Sequence, residues 1–145
     1  MREERRRRRE VHGRALEAVV NYIEMPFLIR RRRRDEPSAE RARLSEKFGT
    51  VQAELACVEA QIRADPDAEV RRTFATLVAT TRATAGDQAA LAWGSPPITT
   101  DSQMSMGPLA GALQPIEGPR KRCEEAMARS TTPRWRRAVA ASNPS

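Results

Sequence analysis

The chain has 145 residues, of which 39% are hydrophobic and only 4% aromatic. That composition argues against a large core built on aromatic rings, and the length suits one domain. With one His and two Cys, the sequence has no set of closely spaced ligands for a structural zinc ion. Two cysteines in a chain of this size favour reduced thiols in a cytoplasmic compartment over a disulfide scaffold.

Charge is distributed in three blocks along the chain. Residues 1–34 carry a net charge of +7, residues 35–118 carry −5 and residues 119–145 carry +5, for a total of +7. Such asymmetry indicates either contact with a polyanion or basic ends that fold back on an acidic middle. Of the 26 basic residues 24 are arginine, a bias that GC-rich codons would also produce.

The first predicted element is a long helix over residues 2–33. Its apolar side chains cover two faces and leave a narrow polar strip, which is typical of a helix buried on two sides. Pro26 is expected to kink this helix or to end it near Met25. The first face consists of Leu16, Val20, Ile23 and Phe27, and the second of Val11, Ala18, Tyr22, Met25 and Ile29.

An antiparallel helical hairpin is predicted over residues 38–64 and 67–92. The apolar residues of its first arm follow the alternating spacing of four and three that is typical of a coiled-coil seam. Between the arms, Asp65 is expected to cap the second helix and Pro66 to occupy its first position. The interface is expected to comprise Leu44, Phe48, Val51, Leu55, Val58 and Ile62 from the first arm and Val70, Phe74, Leu77 and Thr81 from the second.

The fold class predicted from these elements is all-α. A long N-terminal helix would pack on the hairpin to form a small, coiled-coil-like helical bundle over residues 1–92. Residues 93–118 are rich in Pro, Gly and Ser and are predicted to be a linker. Residues 119–145 are expected to form a largely disordered basic tail that contains short helices.

The sequence carries none of the common catalytic motifs. It has no phosphate-binding glycine loop, no nucleophile elbow and no zinc-protease signature. We therefore expect no enzymatic activity, catalytic residue, metal ligand, cofactor or small-molecule substrate. His12 is expected to be a packed or surface residue and Cys57 a helix-packing thiol. Cys123 is expected to be an incidental surface thiol whose pKa is lowered by the cations before it.

Three clusters rich in arginine are the candidate binding residues. Guanidinium groups bind phosphate without reading base sequence, and the same groups would serve anionic lipid headgroups. A solvated charge run beside a buried helix is the simplest alternative interpretation. The candidates are Arg5, Arg6, Arg7, Arg8 and Arg9, then Arg30, Arg31, Arg32, Arg33 and Arg34, and finally Arg134, Trp135, Arg136 and Arg137.

The first-ranked function is a non-catalytic helical interaction or scaffold protein that binds a protein partner or itself. The surfaces expected to remain free for this are the second face of the first helix and a stripe of small residues, Ala53, Ala56, Cys57 and Ala60. The two alternatives are sequence-nonspecific binding of nucleic acid and peripheral association with an anionic membrane surface. The expected location is cytoplasmic, peripheral to the membrane in the last case. The sequence leaves the partner, the oligomeric state and the extent of the natural chain open.

Overall fold

A computed structural model describes residues 1–97 and 107–142, and all regular secondary structure in those residues is helical. The predicted all-α class is therefore confirmed. A 3₁₀ turn, Gln114–Ile116, precedes α5. The α-helices are α1 (Arg2–Arg30), α2 (Pro37–Arg63), α3 (Ala68–Trp93), α4 (Gly107–Ala112), α5 (Glu117–Thr131) and α6 (Arg134–Ser142).

Helix α1 packs against both arms of the hairpin, α2 and α3. The two arms contact each other much less than each contacts α1. An edge-to-face pair between Tyr22 of α1 and Phe48 of α2, with ring centroids 5.2 Å apart, lies in the α1–α2 contact. The expected seam of α2 is therefore covered mainly by α1. The reason is that α1 is apolar over two faces, so that it buries most surface by contacting both arms.

Helix α1 continues through Pro26 to Arg30. Of the two alternatives expected at Pro26, the end near Met25 is therefore wrong, and the kink stays a prediction. Proline cannot donate the hydrogen bond to the preceding turn. Met25, Pro26 and Ile29 are nevertheless buried, so the packing of the last turn offsets the missing bond. The helix ends at Arg30, the first residue of the second arginine run, whereas the sequence pattern predicted a helix to residue 33.

The turn between α2 and α3 differs from the prediction in its capping residue. Asp67 caps α3, because its side chain accepts a 2.9 Å hydrogen bond from the amide of Glu69. Asp65 was expected in that role but accepts from the amide of Asp67 at 2.9 Å instead. The helix accordingly begins at Ala68, and Pro66 lies in the turn before it.

The hydrophobic core extends beyond residues 1–92 into the C-terminal part of the chain. Helix α5 packs on α3. The short helices expected in the tail are present as α5 and α6, but the expectation that the tail is largely disordered is wrong for residues 119–131. The side chains that join the core from this part are Leu109, Leu113, Ile116, Cys123, Ala126 and Met127. Helix α6 has no buried residue, and the expectations for residues 98–106 and 143–145 fall outside the described residues.

Candidate functional site

The first and the last arginine clusters meet at one end of the molecule, although they lie at opposite ends of the sequence. They line a groove of about 500 Å³ between the start of α1 and α6, which we call the α1–α6 groove. Its lining residues are Met1, Glu4, Arg5, Arg8, Ser130, Thr132, Pro133, Arg134, Trp135 and Arg137. The groove thus combines four guanidinium groups with an indole ring and one carboxylate.

Two arginines of the first run hold this end of the molecule together. Arg8 donates to the carbonyl of Ser130 at 3.3 Å, and Arg9 donates to the carbonyl of Thr131 at 3.1 Å. Both carbonyls belong to the last turn of α5, where helix carbonyls lack intrahelical partners and the helix dipole is negative. Arg8 and Arg9 therefore cap α5, a structural role that the sequence pattern did not indicate.

The other arginines of these two clusters remain exposed to solvent or to the groove. Arg6 and Arg7 are exposed and lie 2.8 and 3.7 Å from Glu3. Arg5, Arg134 and Arg137 form no ion pair with any residue in the part of the chain that the structure describes. None of these three arginines is therefore held in an ion pair there, although the carboxylate of Glu4 lines the same groove.

Behind the groove, a buried network joins α1 to the α2–α3 turn. Nε2 of His12 lies 2.7 Å from Oδ2 of Asp65, and Arg8 donates to Oδ1 at 2.9 Å. Burial raises the pKa of Asp65, but the hydrogen bonds from His12, the Asp67 amide and Arg8 outweigh it, so that its pKa lies below the ordinary value. Asp65 is therefore a carboxylate that accepts from His12. The network fixes Arg8 in position beside the groove.

The second arginine run forms a separate groove around Trp93. The guanidinium groups of Arg32 and Arg41 lie 5.2 and 5.0 Å from the centre of the Trp93 ring. We call this cavity of about 440 Å³ the Trp93 groove, and its lining residues are Arg32, Arg33, Arg34, Pro37, Ser38, Arg41, Trp93 and Pro97. Neither Trp93 nor Arg41 was a predicted site residue, since neither lies in or beside a run of arginines in the sequence.

Arg32 has a capping role that parallels those of Arg8 and Arg9. It donates to the carbonyls of Ala92 at 3.0 Å and Ser95 at 2.7 Å, at the end of α3. Burial and the like charges of Arg41 and Arg30 lower its pKa from the ordinary value for arginine. The guanidinium of Arg32 is therefore close to other cations, although Arg33 in the same groove lies 3.6 Å from Asp35.

Glu40 fixes the loop that carries the second arginine run. Its carboxylate accepts from the amide of Arg33 at 2.9 Å and from Nε of Arg43 at 2.9 Å. The hydrogen bond from Arg43, followed by that from the Arg33 amide, lowers the pKa of Glu40 to about 2. Glu40 thus stays ionised and neutralises part of the charge at this end of α1.

The two grooves lie at opposite ends of α1. The chain between Arg5 and Arg30 is helical, and 25 residues of helix span about 38 Å. The structure therefore brings the first cluster to Trp135 and its neighbours but leaves Arg30 to Arg34 at the far end.

The predicted hairpin interface lies inside the protein, although much of it faces α1. Every one of its residues is buried except Phe48, which is half-buried against the core. The second face of α1 was expected to stay free but is largely buried in the core, and Val11 alone is half-buried. The small-residue stripe of Ala53, Ala56, Cys57 and Ala60 is exposed.

The two thiols occupy environments opposite to those expected. Cys123 is buried, and desolvation raises its pKa to about 11, although a hydrogen bond with Thr73 acts in the other direction. The expected lowering of its pKa is wrong because its neighbours in sequence point outward along α5. Cys57 was expected to pack against another helix but is exposed.

Residues 1–97 and 107–142 contain neither a metal-binding cluster nor a membrane-spanning helix. Among these residues, no three His, Cys, Asp or Glu side chains are grouped so that they could hold a metal ion. None of the helices there combines the length and the apolar character needed to cross a bilayer.

Comparisons with models of protein families, with curated proteins and with solved structures find no match for this chain.

Proposed function

We propose that the protein is a non-catalytic helical binding protein whose ligands are phosphate-bearing polyanions, and that the α1–α6 groove is the principal site. The observation that supports the proposal is the convergence of Arg5, Arg134 and Arg137 on one groove. The contacts of Arg8 and Arg9 with the end of α5 bring the two segments together, but those contacts do not involve Arg5, Arg134 and Arg137, which line the groove without any ion pair among the described residues.

The electrostatics of the groove favour an anionic ligand. Guanidinium groups pair bidentately with phosphate, and each phosphate that they neutralise releases counterions. Among the described residues, Arg5, Arg134 and Arg137 have no carboxylate partner, so binding a ligand breaks no ion pair of theirs. Contacts to phosphate alone position a ligand without reading its sequence.

The Trp93 groove is proposed as a second contact for the same class of ligand. Arg33 and Arg34 are exposed there, whereas Arg32 is engaged by carbonyl groups. Its distance from the first groove means that a short ligand occupies one groove at a time. Replacing arginines in one groove therefore weakens binding without abolishing it.

The experiment is the salt dependence of binding to a DNA duplex, used as a polymer of phosphate groups. We expect the logarithm of the association constant to fall linearly with the logarithm of salt concentration. The triple substitution Arg5→Gln, Arg134→Gln and Arg137→Gln should reduce that slope by roughly one for each arginine that binds a phosphate in the wild type. Arg8 and Arg9 are left intact because they cap α5.

A matched triple variant controls for the loss of net charge. Lys47→Gln, Lys121→Gln and Arg122→Gln remove the same three charges from exposed positions that line neither arginine groove. This control should keep most of the wild-type slope. Equal slopes for the two triple variants, or no duplex binding at low salt, would overturn the proposal.

A further inference from the structure

The end of the molecule that carries the α1–α6 groove also carries most of the exposed large apolar side chains. Among the described residues four such side chains are exposed, namely Met1 (90%), Leu91 (62%), Trp135 (64%) and Val139 (57%). Met1 and Trp135 line the same groove. Val139 lies one helical turn after Trp135, on the same side of α6. Three of the four therefore lie at this end.

Helix α6 presents these apolar side chains beside a concentration of positive charge. None of its residues is buried, and its sequence contains three arginines and no acidic residue. Residues 1–10, which begin the other wall of the groove, contain six arginines and three glutamates. An apolar strip flanked by arginines is typical of a helix that lies in a membrane–water interface.

We infer that this end of the molecule docks on an anionic lipid surface, with Trp135 and Val139 entering the headgroup region and the groove arginines binding lipid phosphates and carboxylates. The inference rests on the proposed function, because it names the polyanion. Tryptophan is enriched at the interface of a bilayer. Basic residues near the surface add an attraction to anionic lipids that fades within a Debye length.

A nucleic acid would bind the arginines of this surface through its phosphates but would leave the aliphatic side chains exposed to water. A base could stack on Trp135, yet the guanidinium of Arg136 already lies over that ring, 5.1 Å from its centre. Met1 and Val139 have no part in stacking or in phosphate binding. A lipid surface takes up the charged and the apolar groups together, and is therefore the ligand that accounts for more of the exposed side chains.

The test is cosedimentation of the full chain with vesicles of phosphatidylcholine alone, or of phosphatidylcholine mixed with phosphatidylserine. We expect binding to the mixed vesicles only. In a Trp93→Phe chain, Trp135 is the sole indole, and its fluorescence emission should shift to shorter wavelength when the mixed vesicles are added. That shift reports entry of this side chain into a less polar environment.

Two variants test whether the apolar side chains of α6, rather than any exposed apolar side chain of the protein, contribute to vesicle binding. The double substitution Trp135→Ser and Val139→Ser should lower the partition coefficient on mixed vesicles by roughly tenfold, since two apolar side chains no longer leave water. Leu91→Ser removes an exposed apolar side chain that lines neither arginine groove and should leave partitioning unchanged. Because α6 has no buried residue, the double variant should keep the wild-type melting temperature.

The outcomes distinguish this inference from the proposal on which it rests. Equal binding to both kinds of vesicle overturns the inference that this end of the molecule docks on an anionic lipid surface. A double variant that partitions like Leu91→Ser overturns it as well. Loss of DNA-duplex affinity in the double variant, to the same extent as vesicle affinity, assigns Trp135 to nucleic acid instead. Duplex binding without vesicle binding overturns the lipid inference alone, whereas absence of duplex binding at low salt overturns the proposed function.

Discussion

His12 donates a 2.7 Å hydrogen bond from Nε2 to Oδ2 of Asp65, in the interior of the protein, where α1 meets the α2–α3 turn. The second oxygen of Asp65 accepts from Arg8, which also donates to the carbonyl of Ser130 at the end of α5. One carboxylate thus joins α1, the hairpin turn and α5. The wall of the α1–α6 groove depends on this connection.

Replacing Asp65 by Asn should destabilise the protein strongly. The substitution leaves His12 and Arg8 without their carboxylate in a buried site, and removal of one partner from a buried pair costs about 3 kcal/mol. Urea denaturation measures the change in the free energy of unfolding. Glu3→Gln, which removes an exposed partner of Arg6, is the control and should cost less than about 1 kcal/mol. Equal effects of the two substitutions would contradict the assigned role of Asp65.

Met127→Ala tests whether α5 belongs to the core. Met127 is 4% exposed and lies in the core cluster that includes residues of α1, α2 and α3. Shortening a buried Met to Ala costs about 2–5 kcal/mol, because less apolar surface is buried and a cavity is left behind. Lys121→Ala, on the exposed side of the same helix, should change the free energy of unfolding by less than about 0.5 kcal/mol. If Met127→Ala is equally mild, α5 does not contribute to the core.

The two thiols should react with Ellman's reagent at very different rates. Cys57 is exposed, whereas Cys123 is buried and has a pKa of about 11. The thiolate is the reactive species, so at neutral pH the native chain should show one fast thiol and one that reacts only after unfolding. Cys57→Ala should abolish the fast phase. Two fast thiols in the native protein would show that Cys123 is accessible.

Glu40 should make stability depend on pH in the acid range. Its pKa is lowered from 4.5 to about 2 in the folded protein, so the native state favours the ionised form. The stabilisation is therefore complete above about pH 4.5 and is lost as the pH falls towards about 2.

Melting temperatures recorded across that range test the assignment. At neutral pH the variant Glu40→Gln should melt below the wild type, and the gap should close as the pH falls through this window. Glu46→Gln, on the exposed side of α2, should follow the wild-type profile. A gap that widens in acid would have the wrong sign for a lowered pKa.

The helices and their buried faces could be read from local patterns. The spacing of Leu44, Val51 and Leu55 follows the period of a helix, and the break at residues 65–67 combines proline with capping side chains. Those signals depend on neighbours within a turn or two of the helix. These local signals are present in the sequence regardless of how the rest of the chain folds.

Which helix covers which face could not be read in the same way. The seam of α2 fits any apolar partner, and the choice of α1 over α3 depends on how the whole core is filled. A short helix was expected in the region of α5, but its packing into the core was not, because its buried side chains include small ones, Cys123 and Ala126, which carry little amphipathic signal. The capping roles of Arg8, Arg9 and Arg32 depend on helix ends that are distant in sequence. Self-association through the stripe around Cys57 stays a prediction.

In the proposed function, arginines from both ends of the chain bind a polyanion at one groove. This binding is tested most directly by NMR of the arginine side-chain Nε–H groups and the Trp indole N–H groups during titration with inorganic polyphosphate. We expect the signals of Arg5, Arg134, Arg137 and Trp135 to shift together at the lowest polyphosphate concentrations, ahead of those of Arg33 and Arg34. Shifts that begin at the Trp93 groove, or that spread evenly over all exposed arginines, would contradict the proposed function.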